Sequence, residues 1–247
     1  MKIFQSLIVA LIRLPWIGNG IVALLSMVKR QTIEIMKRAR KDQVRPRNWS
    51  NAELRKFAPL YTGKAINVSG WKDEDQTGGH YRAYFSNVNG YFISNFKGER
   101  GQQKNEGELF IDLTGDLADE LRGQFQVVFN HTTLEHVYDI ARAVVNLCAL
   151  SQDTVILVTP FLQQVHYEPG AYGDYWRPTP MCVRKLLEEN GFEVLYQSTN
   201  DNDWYIVYVF TIASRRPGNW QGKIPASITS GFTGCRLFGL NAESNPG

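Results

Sequence analysis

The sequence predicts an α/β chain built on a doubly wound sheet of seven strands, and three observations point there. From Trp49 onward, short runs dominated by Val, Ile, Phe and Tyr alternate with amphipathic stretches. The middle runs lack the polar alternation of a half-exposed strand, as strands buried on both faces do. The last two runs lie close together and are rich in β-branched and aromatic residues, which suits an antiparallel final strand.

Residues 3–28 are apolar on every helical face and are interrupted by Arg13, Pro15 and Gly18-Asn19-Gly20. The uncharged stretch 14–28 is shorter than the ~20 apolar residues of a spanning helix. Pro15 and the Gly-Asn-Gly turn predict two short helices, 3–14 and 21–36, forming a monotopic hairpin or a single tilted span. Eight basic residues follow between Lys29 and Arg47, against Glu34 and Asp42 alone. Residues 1–47 therefore read as an anchor on an anionic surface, at the cytoplasmic face of the plasma membrane; the alternative is a helical lid buried on the domain or on a partner. A secretory signal is disfavoured, because no small-x-small cleavage site follows and the downstream charge opposes translocation.

In the body, the strands are expected at 65–69, 90–95, 109–113, 126–130, 154–160, 193–197 and 205–213. Helices are expected at 52–57, 117–122, 134–150 and 179–190. In the third, Leu134, Val137, Tyr138, Ala141, Val144, Val145 and Leu147 recur at spacings of three and four. The last has Thr179 as N-cap, Pro180 at its first position and a stop at Asn190-Gly191. The tail, 215–247, carries six glycines and three prolines and is read as wrapping the domain or binding a protein partner. The domain plan is thus 1–47, 48–214 and 215–247.

Composition removes several classes. With 247 residues, 43% hydrophobic and 21% charged, the chain is neither disordered nor fibrous. Cys148, Cys182 and Cys235 follow no CxxC spacing, so reduced thiols are expected rather than a disulfide scaffold or a cysteine zinc site. Residues 48–247 carry 17 basic and 22 acidic side chains, which argues against a nucleic-acid-binding body.

In a doubly wound sheet, ligands bind beyond the carboxyl ends of the strands. The segments there are GELFIDLTGDLADEL (107–121), FQVVFNHTTLEHV (125–137) and YGDYWRPTPMCVRKLLEENGFEVLYQS (172–198). With them the chain resembles, from about residue 63 to 214, the class I S-adenosylmethionine-dependent methyltransferases, in particular those found with bacterial surface-polysaccharide genes. The resemblance implies a Rossmann-like methyltransferase sheet with S-adenosylmethionine as cofactor. It places cofactor contacts at Asn67, Ser69, Gly70, Asn95, Asp116 and Asn130, with Asp116 as the adenine-contacting acid. Two positions depart from the family. The segment Asn67-Val-Ser-Gly-Trp71 has one glycine where a Gly-rich loop is expected, and Asn95 stands where the family has the acid that holds the ribose. Asp73-Glu-Asp75 is a substitute acid only if it faces the cofactor; as a solvated loop it is not.

His131 follows strand four where the family faces the transferred methyl, so it is the candidate general base for a sugar hydroxyl, or else a helix cap. Tyr172, Asp174, Trp176 and Arg177 lie in a loop expected over the acceptor side, suited to stacking on a sugar and bonding its hydroxyls. The alternative puts Trp176 in the core and pairs Arg177 with Glu188 or Glu189. Glu135, His136 and His166 resemble, weakly, the metal ligands of some related O-methyltransferases, although Thr132 stands where that pattern has its first Glu. The activity implied is O-methylation of a glycan or lipid-linked sugar. The alternative is a scaffold subunit of a membrane or filament assembly that has lost the cofactor. A dinucleotide enzyme is disfavoured because no GxGxxG follows strand one.

Overall fold

The computed structural model describes residues 14–39, 46–96, 107–163, 165–200 and 208–228. Two compact units are distinguished, Met1–Asn48 and Trp49–Gly247. In the first, helix α1, Pro15–Ala39, runs through Gly18-Asn19-Gly20, where a turn ahead of a helix at 21–36 was expected; the helix expected at 3–14 lies outside the described residues but for Leu14. Pro15 occupies the first helical position, where its missing N–H costs nothing, and the Gly18 N–H already bonds the Leu14 carbonyl at 2.8 Å. Gly18-Asn19-Gly20 is therefore carried inside the helix. No helix among the described residues is long and apolar enough to cross a membrane.

The body is a seven-stranded sheet in the order β3-β2-β1-β4-β5-β7-β6. The strands are β1 (Lys64–Val68), β2 (Gly90–Asn95), β3 (Glu108–Phe110), β4 (Phe125–His131), β5 (Ser151–Pro160), β6 (Glu193–Thr199) and β7 (Tyr208–Ser214). β1 to β5 pair in parallel, and β7 is antiparallel to both β5 and β6. All seven expected strands are present; Tyr205 to Val207 lie outside the described residues.

Helix α2 is Pro46–Phe57, longer at its start than expected, α3 is Ile140–Leu150 and α4 is Pro180–Glu188. The expected helix at 117–122 is a single 3-10 turn, Asp119–Leu121. The stretch at 134–150 divides into a turn, Leu134–His136, and α3, because Asp139 caps the Arg142 N–H and starts the helix anew. Thr179 caps α4, accepting from the Cys182 N–H.

The alternation of side chains along β1, β4 and β5 sorts the core into two layers. Ile66, Val68, Val128, Val155 and Leu157 meet Val144, Leu147, Val183 and Leu187 of α3 and α4. Ala65, Val127, Phe129, Ile156 and Phe210 meet Leu54 and Phe57 of α2 together with Tyr61, Tyr81 and Phe85. Trp220 and Ile224 belong to this second layer, so the first part of the expected tail is core of the domain. Residues 229–247, Cys235 among them, lie outside the described residues.

Candidate functional site

The strand order reverses between β1 and β4, and a crevice at the carboxyl ends of these strands is where an open α/β sheet takes its ligand. The chain between β1 and β2 holds one 3-10 turn, Tyr81–Ala83, and no α-helix, so no helix N-terminus follows β1. Its backbone takes a left-handed course at Ser69 (φ 58°), Trp71 (φ 48°) and Asp73 (φ 62°). These are conformations that favour glycine, at every second residue, with side chains on all three.

Buried carboxylates hold that course. Asp73 accepts from Asn67 Nδ2 at 2.7 Å, from the Tyr91 hydroxyl at 2.6 Å and from the Arg82 N–H at 2.8 Å. Asp75 accepts from the Thr77 and Gly79 N–H groups and the Tyr84 hydroxyl, with Arg55 3.6 Å away. Burial works to raise the Asp75 pKa, but the bonds from Tyr84, Thr77 and Gly79 outweigh it and bring it down to about 2. Neither acid is solvated, and neither is a substitute for the missing ribose acid: both are consumed in building the loop.

The same accounting corrects three expected cofactor contacts. Asn67 is turned inward to Asp73. At Gly70 a Cβ would lie 2.6 Å from Asn67 Nδ2, so the glycine makes room for a neighbouring side chain of the protein itself. Asn95 accepts from the Trp71 N–H at 2.7 Å and donates to the Trp71 carbonyl at 3.0 Å and to Glu108 at 2.7 Å. Its amide hydrogens are spent bracing the loop against β2 and β3. Ser69 offers its N–H only weakly to Ser94 Oγ, at 3.4 Å.

At β4 the picture differs. Asn130 donates to the Val68 carbonyl at 2.9 Å, and its Oδ1 is buried without a hydrogen-bond donor. Thr132, a β-branched residue, is held at φ 47°, strain of order 1–3 kcal/mol that persists where a fold over-determines it. Asp116 is fully exposed beyond β3 and paired with Arg142 at 2.9 Å.

His131 lies beneath α2, enclosed by Tyr81, Phe129 and Tyr208. Its Nε2 is 2.8 Å from Ser50 Oγ and its Nδ1 is 3.1 Å from Thr132 Oγ1. Both nitrogens have hydroxyl partners, so the residue expected as base is built into the α2 contact. Ser50 is 81 positions away and no spacing in the sequence signals it.

The loop over the β4 and β5 ends is closed by its own charges. Arg177 grips Asp174 with both terminal nitrogens and also donates to the Gln163 carbonyl. Arg177 holds the Asp174 carboxyl down at about 2 against the opposing effect of burial. Asp174 and Arg177, expected to bind acceptor, thus form a structural clamp, and Arg177 pairs with neither Glu188 nor Glu189. Trp176 is partly exposed, its indole N–H shared between the Val137 and Tyr138 carbonyls. With Tyr138 and Tyr175 it makes an accessible aromatic surface.

Inside this loop lie Glu135, His136, His166 and Tyr172. The His136 and His166 rings are 4.9 Å apart, His136 and Tyr172 4.5 Å. Among the described residues no group of three His, Cys, Asp or Glu side chains is arranged to hold a metal ion, and the weak candidates Glu135, His136 and His166 are neighbours without a ligand geometry. His136 Nδ1 lies 2.6 Å from the Gly173 carbonyl, which only accepts, so Nδ1 carries the hydrogen and Nε2 is the basic nitrogen. Desolvation lowers the His136 pKa, assisted by His166 and Arg177 and opposed by the Gly173 bond and Asp174.

No protein-family model and no curated protein matches this chain. Solved structures do. A chain in the complex of the Haloferax volcanii Trm112 methyltransferase activator with a putative methyltransferase is 10% identical, with 75% of this chain and 95% of that chain covered at a TM-score of 0.50. The body has a Rossmann-like methyltransferase fold. Other neighbours are S-adenosylmethionine-dependent methyltransferases. Magnesium protoporphyrin IX methyltransferase from Synechocystis PCC 6803, with S-adenosylmethionine bound, is 15% identical, covering 68% and 79% of the two chains at a TM-score of 0.43. A Burkholderia thailandensis 1,6-didemethyltoxoflavin-N1-methyltransferase with S-adenosylhomocysteine is 12% identical, covering 79% and 89% at 0.45.

Proposed function

We propose that the body is an S-adenosylmethionine-dependent methyltransferase acting on a hydroxyl of a glycan or lipid-linked sugar at the cytoplasmic face of the membrane. The observation that carries this reading is the end of β4 at the switch point, where strained Thr132 adjoins Asn130 and its donorless Oδ1. An ammonium such as that of the cofactor's methionine is the donor this acceptor lacks, and exposed Asp116 is an acceptor for an adenine amino group. Asn130 and Asp116 would therefore hold the cofactor, which supplies an electrophilic methyl group. At β1 the fit is poorer. The N–H groups of Gly70, Trp71 and Asp73 bond Ser94 O, Asn95 Oδ1 and Gly70 O, leaving fewer donors for a methionine carboxylate. Each lost charge-assisted bond weakens binding by about 1.5–3 kcal/mol, roughly ten- to a hundredfold.

The acceptor side is the aromatic surface of Tyr138, Tyr175 and Trp176, suited to stacking on a sugar face. The proton of the reacting hydroxyl goes to His136 Nε2, the nitrogen left basic by the Gly173 bond, with Glu135 3.6 Å away to stabilise the imidazolium.

Calorimetric titration of S-adenosylhomocysteine into the full chain tests the cofactor. Binding that weakens at least tenfold in Asp116→Ala supports the reading, and methyl transfer from labelled S-adenosylmethionine to extracted lipid-linked glycans then tests the acceptor. Absence of heat at millimolar ligand rejects it. The second reading, a scaffold without cofactor, is favoured by the side chains at the left-handed positions 69, 71 and 73 and by the spent Asn95 amide.

A further inference from the structure

The course of α1 through Gly18-Asn19-Gly20 sets an apolar arc opposite a polar line, with exposed Trp16, Val22 and Met27 on the flanks between them. At 100° per residue, Ile21, Leu24, Leu25, Val28 and Ile35 fall within an arc of about 100°. Leu24, Leu25, Val28 and Ile35 are 51–66% exposed. The polar residue in the same arc, Thr32, returns its hydroxyl to the Val28 carbonyl at 2.9 Å and so presents no unpaired group to an apolar medium. On the opposite side Asn19, Ser26, Arg30 and the backbone position of Lys37 form one line along the helix. The helix sequence holds Lys29, Arg30, Lys37 and Arg38 against Glu34 alone, and further cations follow to Arg47.

From this juxtaposition we infer that α1 lies in the plane of an anionic phospholipid surface, its Leu24–Leu25–Val28–Ile35 side in the acyl boundary and its cations among the headgroups. A protein partner would cover an apolar stripe equally well, but the excess of cations commits the occupant to an anionic surface. The helix is too polar to cross, and its apolar arc is too exposed for a helix in water. The inference is independent of the methyl-transfer chemistry.

The test is sedimentation of the full chain with vesicles of equal parts phosphatidylglycerol and phosphatidylcholine, and with phosphatidylcholine alone. Binding to the anionic vesicles is expected to be at least ~10-fold stronger and to fall with added salt. Two variants carrying the same added charge separate the sides of the helix. Leu24→Lys is expected to abolish binding and Ser26→Lys to strengthen it, with Val28→Lys repeating the first and circular dichroism showing unchanged helix content. The inference is overturned if the chain stays in solution, if both vesicle types bind it equally, or if Ser26→Lys weakens binding as Leu24→Lys does. It is also overturned if sedimentation velocity shows a self-associated species that Leu24→Lys disperses while vesicle binding is absent.

Discussion

Asp75→Asn isolates the charge that organises the loop beyond β1. Asparagine keeps the size of the side chain and one acceptor oxygen, so it stands in for the protonated acid. In the folded chain the Asp75 pKa is about 2, from an ordinary value of 3.8, and its carboxylate is buried. At about 1.4 kcal/mol per unit this depression corresponds to roughly 2 kcal/mol of stability. Because the folded value lies below the unfolded one, that contribution is complete above about pH 4 and disappears as the pH falls to about 2. Urea unfolding of both proteins from pH 6 to pH 2 measures it. The wild type is expected to exceed the variant by about 2 kcal/mol at pH 6, with the gap closing toward pH 2. A gap that stays constant over this range would refute the reasoning, since the stabilisation would then not come from the ionised carboxylate.

Three further outcomes follow from named contacts. Asn95→Asp replaces the donor to the Trp71 carbonyl and Glu108 with an acceptor, so it is expected to destabilise the chain by about 1–3 kcal/mol and to bring no gain in S-adenosylhomocysteine affinity; thermal melts and calorimetry check both. Arg177→Lys gives up the two-pronged grip on Asp174, so limited proteolysis is expected to cut within 165–178 faster, at unchanged global stability within about 1 kcal/mol. Long-range proton–nitrogen spectra of histidine-labelled protein are expected to show His136 as the neutral Nδ1–H form, titrating below the ordinary histidine value. An Nε2–H form would exclude it as the base.

Which features could be read without the structure depends on whether their cause is local. Strand β2 was placed at its observed bounds and α4 at its cap, because alternation, β-branching, Thr179 and Pro180 act within a few residues. The turn at 119–121 and the late start of α3 were less legible. Ordering there depends on packing of Leu117 and on the Asp139 cap, which compete with the helical period. The candidate site was legible in its location and less so in its chemistry. Asn130 keeps an Oδ1 without a donor and Asp116 is exposed although paired with Arg142, whereas Asn67, Gly70, Asn95, Asp174 and Arg177 are committed to partners that spacing alone did not reveal.

The sequence by itself determined the seven strands, most of the helices, the basic segment after the first apolar run and the segments that lie at the strand ends. Each of these follows from hydrophobic period and local backbone preference. Only the tertiary structure decided which side chains are spent and which are available. Ser50 meets His131, Asn95 meets Trp71 and Glu108, and the Gly173 carbonyl fixes the His136 tautomer. A buried polar group takes whichever partner the packing brings within about 3 Å, and that partner lies tens of residues away in the chain.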